Sequence, residues 1–310
     1  MAKQIQTLKG SIETDSFGLI LPHEHLFTDL RGPFVDGYAQ AESSNVVRVV
    51  KPFLEDAFAS GVTALVECST IGVGRNLEIL QQLAEASPIH IIAPTGVYRE
   101  AFIPSALREM REGGLAQLWI RELTEGIDGT SVRAGFIKLA MSDDGPTELE
   151  KRNLRAAAQA SAATGAVIAS HTIGGRVARE EMDVLTKAGH DLRRFIWIHA
   201  QTEPDIAIVK EAAGRGAFVE FDSVGAPHQS QSELVGTVVT LIQVGYLDHI
   251  LLSHDAGWYN PAHPDGLPND GFRGYTALTK EFLPALSAHG ISDEQIRHIT
   301  VDNPARAFAF

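Results

Sequence analysis

Six residues of metal-ligand type recur at one kind of place in this chain, directly after short apolar runs rich in β-branched residues. The run ending at Leu21 leads into Pro22-His23-Glu24-His25. Two residues apart on an extended segment, His23 and His25 project to one side and Glu24 to the other, whereas a helical zinc motif spaces its histidines four apart. His171 ends the run from Ala166, and His199 ends Phe195 to Ile198. Each of these histidines alone reads more simply as a hydrogen-bonded core or rim residue; their shared position favours a joint role. Asp255 follows Ile250-Leu251-Leu252-Ser253-His254. An unpaired carboxylate there is costly unless a cation or a proton holds it. Lys138 closes Ala134-Gly135-Phe136-Ile137 and precedes Leu139-Ala140-Met141, a setting that resists a free ammonium. Alone, it reads as a lysine snorkelling to solvent. Beside four histidines and an aspartate, a lysine that reacts with carbon dioxide becomes a carbamate, long enough to bridge two cations.

The elements that must position these residues form a repeating series. Apolar runs at 18–21, 63–67, 90–93, 134–137, 166–169, 195–198, 217–221 and 250–252 are eight expected strands. Segments of helical periodicity lie between them, including 45–60, 76–86, 147–164, 176–188, 204–213 and 233–244. Thr147 and Glu150 make a capping-box pattern with Gly165 past the end, while Pro204 suits a first helical position and Gly214 a stop. Near-continuous apolar strands alternating with helices predict parallel strands buried on both faces. Eight such units predict a single α/β domain over 1–310, a (β/α)8 barrel with a short N-terminal extension, its chemistry gathered at the C-terminal ends of the strands. The rival open sheet lacks the Gly-x-Gly-x-x-Gly turn after its first strand, and Gly72-Val73-Gly74-Arg75 reads as a tight strand-to-helix turn.

Composition narrows the function classes. The 310 residues are 44% hydrophobic and 21% charged, with 26 basic and 39 acidic residues and a net charge of -13, which excludes intrinsic disorder. With no cluster of lysine and arginine, neither nucleic acid nor a membrane surface is an expected partner. One cysteine, Cys68, leaves no intrachain disulfide and fits a cytoplasmic setting. The N-terminus is polar and no apolar run is long enough to span a membrane. Twelve histidines are the outlying number, and they suit a metal site.

Taken in order, the motifs Leu21-Pro22-His23-Glu24-His25-Leu26, Thr70-Ile71-Gly72-Val73-Gly74-Arg75, Arg133-Ala134-Gly135-Phe136-Ile137-Lys138, Ser170-His171-Thr172, Ile198-His199 and Leu252-Ser253-His254-Asp255 resemble the phosphotriesterase-like branch of the amidohydrolase superfamily, over nearly the whole chain. The resemblance implies a (β/α)8 barrel with two divalent metal ions, zinc first, with cobalt, manganese or iron as alternatives. It implies His23, His25 and Asp255 on one ion, His171 and His199 on the other, and carboxylated Lys138 with a hydroxide bridging both. Asp255 would orient that hydroxide and accept its proton. Tyr98, in Gly96-Val97-Tyr98, resembles the tyrosine near the metals in lactone-hydrolysing members; its alternative is an aromatic rim residue.

Trp258 and Tyr259 open a Pro/Gly-rich stretch to Gly274 that reads as a substrate wall, with His263 and Arg273 available to polar substrate groups and His228 and His254 as rim residues. One departure stands out. Where the family places histidine or arginine after an aspartate at the seventh strand, Asp222 here is followed by Ser223. The expected function is metal-dependent hydrolysis of a lactone or related ester, a small molecule, with weak phosphotriesterase activity. Phosphotriesterase proper, an amide hydrolase and a non-catalytic ligand-binding barrel are the alternatives, and a homodimer is an open assembly.

Overall fold

The computed structural model describes residues 3–267 and 273–310. Its strands are β1 (Gln4–Thr7), β2 (Gly10–Glu13), β3 (Leu19–Phe27), β4 (Val62–Glu67), β5 (His90–Ile92), β6 (Pro94–Val97), β7 (Phe136–Ala140), β8 (Ile168–His171), β9 (Phe195–Ile198), β10 (Phe218–Phe221), β11 (Ile250–Leu252) and β12 (Gly257–Tyr259). The strands β5 and β6 are two halves of one stave, interrupted at Ala93, so β3 through β11 supply eight parallel staves. Closure comes from the segment after β11: Asp255 N–H donates to the His23 carbonyl (3.3 Å), and β12 pairs parallel with β3. The expected (β/α)8 barrel is the fold. The N-terminal extension is an antiparallel β1–β2 hairpin, tied to the barrel where Leu8 N–H donates to the Ile91 carbonyl.

Helices follow the staves because each carries one apolar stripe. In Ser43–Ala59, Val46, Val50, Leu54 and Ala57 recur on one face and are buried against the strands. The helix Glu148–Thr164 carries the expected capping box, and Gly165 takes the left-handed cap. The helix expected from Pro204 instead begins at Ile206, since Asp205 caps it by accepting from Ala207 N–H, and it runs through Gly214 to an Arg215 cap. A further helix, Glu112–Thr124, fills the interval between β6 and β7. Among the described residues no helix is long and apolar enough to cross a membrane.

Inside the barrel, Ile20, Ala64, Val66, Ile92, Phe136, Ala169, Ile196 and Leu251 form a dry inner cluster beneath the site. Strand alternation then aims Lys138, two residues beyond Phe136, and His171, two beyond Ala169, into the barrel mouth. Only glycine fits at position 96, in the left-handed region (φ 102°), because a Cβ there would overlap the Lys138 carbonyl.

Candidate metal centre

His23 and His25 reach the barrel interior through a register shift in β3 between Leu21 and Glu24, which reverses the inward parity set by Ile20. The Nε2 atoms of His23 and His25 lie 3.4 and 3.1 Å from the same Asp255 oxygen. Those separations match the roughly 3.3 Å between neighbouring ligands of a tetrahedral ion with bonds of about 2.0–2.1 Å. Across the mouth, His199 Nε2 and His171 Nδ1 converge to 2.7 Å. Lys138 is buried beside them, and its Nζ has no hydrogen-bond partner.

The far nitrogens of three histidines are held by oxygen. His23 Nδ1 lies 2.8 Å from Glu220 Oε1, His25 Nδ1 2.8 Å from Ser69 Oγ, and His199 Nδ1 2.8 Å from Asp222 Oδ1. The two carboxylate bonds place a proton on Nδ1 of His23 and His199 and turn Nε2 toward the mouth, as outer hydrogen bonds do for metal-binding imidazoles, while the Ser69 hydroxyl orients the His25 ring. An orphaned lysine nitrogen, four inward imidazole nitrogens and a shared carboxylate fit a pair of divalent ions.

Electrostatics follows the same geometry. Burial opposes ionisation of Asp255, but the neighbouring His23 and His25 hold its carboxyl well below the usual range. Burial, reinforced by the charges of His199 and Lys138, pushes His171 well below an ordinary histidine, so its imidazole is neutral. Desolvation drives Glu220 up to about 7 despite His23, and Tyr98 up to about 12, which keeps its hydroxyl protonated.

Three residues at the mouth sit in the left-handed region without being glycine: His199 (φ 67°), Asp255 (φ 48°) and Trp258 (φ 59°). Each such conformation costs roughly 1–2 kcal/mol and persists only where surroundings enforce it. Asp222 enforces it at His199, accepting from its backbone N–H (3.0 Å) as well as its ring. Around Asp255, Glu24 takes hydrogen bonds from Ser253 Oγ, His254 N–H, His254 Nδ1 and Ala256 N–H, and Arg273 Nη2 donates to the carbonyls of His254 and Asp255. The carboxylate of Glu24 therefore points away from the mouth and fastens the loop that carries Asp255.

The cavity above these groups measures about 130 Å³, and its walls include Thr28, Leu30, Cys68, Val73, Tyr98 and Trp258. The Tyr98 hydroxyl lies 3.3 Å from His171 Nδ1, and the Trp258 ring meets His25 edge-on at 5.9 Å. Thus His23, His25, Lys138, His171, His199, Asp255, Tyr98 and Trp258 come together. Three residues expected to meet substrate lie off the wall of this cavity. Tyr259 is buried and stacks on Phe27 at 6.0 Å, because strand alternation in β12 turns it away from Trp258. His263 lies in a turn closed by backbone bonds to Asn260 and Gly266, off the cavity wall. Arg273 donates through Nη2 to the His254 and Asp255 carbonyls, while its buried Nη1 has no hydrogen-bond partner among the described residues. Residues 268–272 of the expected substrate wall lie outside the described residues. Ser223, at the departure position, joins Asp222 and Gln201: Gln201 Nε2 donates to Asp222 Oδ1 (2.6 Å) and Ser223 Oγ (2.7 Å). Sequence reasoning missed Glu24, Glu220 and Glu67, which accepts from Leu26 and Ser69 N–H, as supports, although the signal was there in carboxylates within otherwise apolar strands; Gln201, in the turn after β9, carried no such signal.

The phosphotriesterase family model matches residues 3–308. A phosphotriesterase homology protein of Mycobacterium tuberculosis is 30% identical, over 98% of this chain and 97% of that one. An aryldialkylphosphatase of Saccharolobus solfataricus is also 30% identical, over 97% and 98%. Among solved structures, a mutant of a Deinococcus radiodurans PTE-like lactonase superposes with a TM-score of 0.87 at 30% identity, covering 98% of this chain and 99% of that one. Barrel, clustered ligands and matched length agree, and the chain belongs to the phosphotriesterase family.

Proposed function

We propose that this protein is a binuclear metal-dependent hydrolase of lactones or related small esters, with slow phosphotriester hydrolysis as a side activity. The observation that carries this reading is the convergence of four imidazole nitrogens, Asp255 and the unpartnered Lys138 Nζ on one cavity. In this reading His23, His25 and Asp255 would hold one divalent ion, zinc in the first instance, His171 and His199 would hold the other, and Lys138, once carboxylated, would supply a ligand shared by both. When bound, such a pair lowers the pKa of water toward neutrality and polarises the oxygen of the scissile group.

The chain's own groups supply the rest. Asp255, held ionised, orients the attacking water and receives its proton at a carboxylate oxygen. Asp222 and Glu220 keep the His199 and His23 rings aimed, so little reorganisation accompanies the reaction. Tyr98, protonated at neutral pH, offers its O–H to the departing alkoxide. Leu30, Val73 and Trp258 exclude water and contact the apolar part of the substrate.

The ester reading is favoured by the cavity wall, where Leu30, Val73 and Trp258 offer apolar contact beside the ligands, whereas a phosphotriester needs three substituents accommodated around phosphorus. The neighbouring lactonase supports it, whereas the Saccharolobus name supports the rival. Specificity constants for a lactone series and an aryl phosphotriester series, on protein whose metal content is measured, test it. Lactones should win by a wide margin with about two ions per chain. Phosphotriesters winning would overturn the substrate assignment, and full activity with one ion or none would overturn the binuclear site.

A further inference from the structure

A second concavity lies at the opposite end of the barrel, where residues preceding β9, β10 and β11 meet the C-terminal helix Asn303–Phe308. It measures about 510 Å³, and Lys3, Arg193, Arg194, His249 and Arg306 line it. We propose that it binds a phosphorylated small molecule, with Lys3, Arg194 and Arg306 holding the phosphate.

Charge accounting supports the assignment. Four cations and two acids share the lining, and of the acids Asp191 pairs with Arg193 (2.7 Å) while Asp248 lies 2.6 Å from His298 Nε2. Among the described residues no carboxylate oxygen is recorded within ion-pair distance of the Lys3, Arg194 or Arg306 side chain. Arg194 is anchored only through carbonyls, donating to those of Ala309 (2.8 Å) and Ala307 (3.5 Å). Arg306 donates to the Asp248 carbonyl and to Asn303 Oδ1 (3.0 Å), and its guanidinium lies 5.2 Å over the Phe218 ring. Such contacts orient a guanidinium without neutralising it. Four cations against two acids around one cavity are unexpected in a chain of net charge -13, where carboxylates are the more abundant neighbours. Guanidinium forks match phosphate oxygens, and the cavity volume falls in the range of small-molecule sites rather than that of a lone anion. His249 Nδ1, 3.0 Å from the Ala217 carbonyl, carries its proton there and leaves Nε2 as an acceptor for a hydroxyl of the organic portion.

The test is calorimetric titration of the metal-loaded protein with inorganic phosphate, a hexose phosphate and the unphosphorylated hexose. Saturable binding of the phosphorylated probes, weakened by salt, is expected, with none for the bare hexose. A hexose phosphate tighter than phosphate assigns the cavity to an ester; equal affinities assign it to phosphate itself. Lys3→Glu, which removes no hydrogen bond of the fold, and Lys3→Gln/Arg306→Gln should each weaken binding by about tenfold or more, equivalent to about 1.4 kcal/mol, with hydrolysis unchanged. No saturable binding, or binding that survives both variants but is lost in His171→Asn, would overturn the proposal. In the latter case the anion sits at the opposite mouth.

Discussion

At the scale of single residues, the site divides into groups that face the cavity and groups that aim them. Lys138 faces it without a partner, so Lys138→Ala removes the proposed bridge while leaving the surrounding packing largely in place. Activity and metal content should fall together, by at least about 100-fold in turnover, and short carboxylic acids should partly restore both. An alanine variant with full metal content and turnover would remove the carbamate. Trp258 and Arg273 make a contrasting pair. Trp258→Ala takes away an apolar wall and should redistribute specificity constants among substrates, whereas Arg273→Ala frees the His254 and Asp255 carbonyls and should lower turnover on every substrate alike. A substrate-dependent loss in Arg273→Ala, measured across the same panel, would return that arginine to the pocket.

At the scale of elements, β8 shows how a strand end is held in place. Ser170 Oγ and Thr172 Oγ1, flanking His171, donate to Glu181 on the helix Gly175–Lys187 at 2.5 and 2.6 Å. Glu181 is fully buried, and desolvation raises its pKa to about 8 against an ordinary 4.5. The native chain holds this proton where the unfolded chain has released it. The contribution to stability is complete below about 4.5 and is lost as pH rises through about 8. Glu181→Gln keeps the shape and removes the titration. Thermal unfolding of wild type should therefore weaken relative to the variant between pH 5 and pH 8.5, and parallel profiles would show that Glu181 ionises normally. Glu24 plays the corresponding part for the β11–β12 loop, with four donors on one buried carboxylate.

At the scale of the whole molecule, the proposed ligands come from β3, β7, β8, the end of β9 and the segment after β11, so bound ions would cross-link staves far apart in sequence. Ions that bind only the folded chain stabilise it by about 4 kcal/mol at a thousandfold excess over Kd, and removing them should lower Tm on the order of 5–10 °C. Calorimetry before and after chelation, with metal content confirmed, measures this. An unchanged Tm would mean that the staves are locked without metal. The chain ends reinforce the barrel from the other side, through Leu8 on Ile91 and Phe310 N–H on the Gln4 carbonyl.

Strand alternation made much of this legible before any coordinates. The apolar runs specify buried parallel staves, and for Lys138 and His171 the same alternation carries the side chain from core to mouth, because extended backbone repeats every two residues. For the other ligands local pattern does not suffice. His23 and His25 face inward through a register shift in β3, and His199 and Asp255 adopt left-handed conformations that their own side chains disfavour. Those geometries are enforced by Asp222, Glu24 and Arg273, through bonds that span 23, 230–232 and 18 residues of chain and are therefore invisible to any local window. The orientation of Tyr259 and Arg273 is hidden for the same reason: composition marks a loop beside the site, but only packing against Phe27 and the His254 carbonyl determines which way each side chain turns.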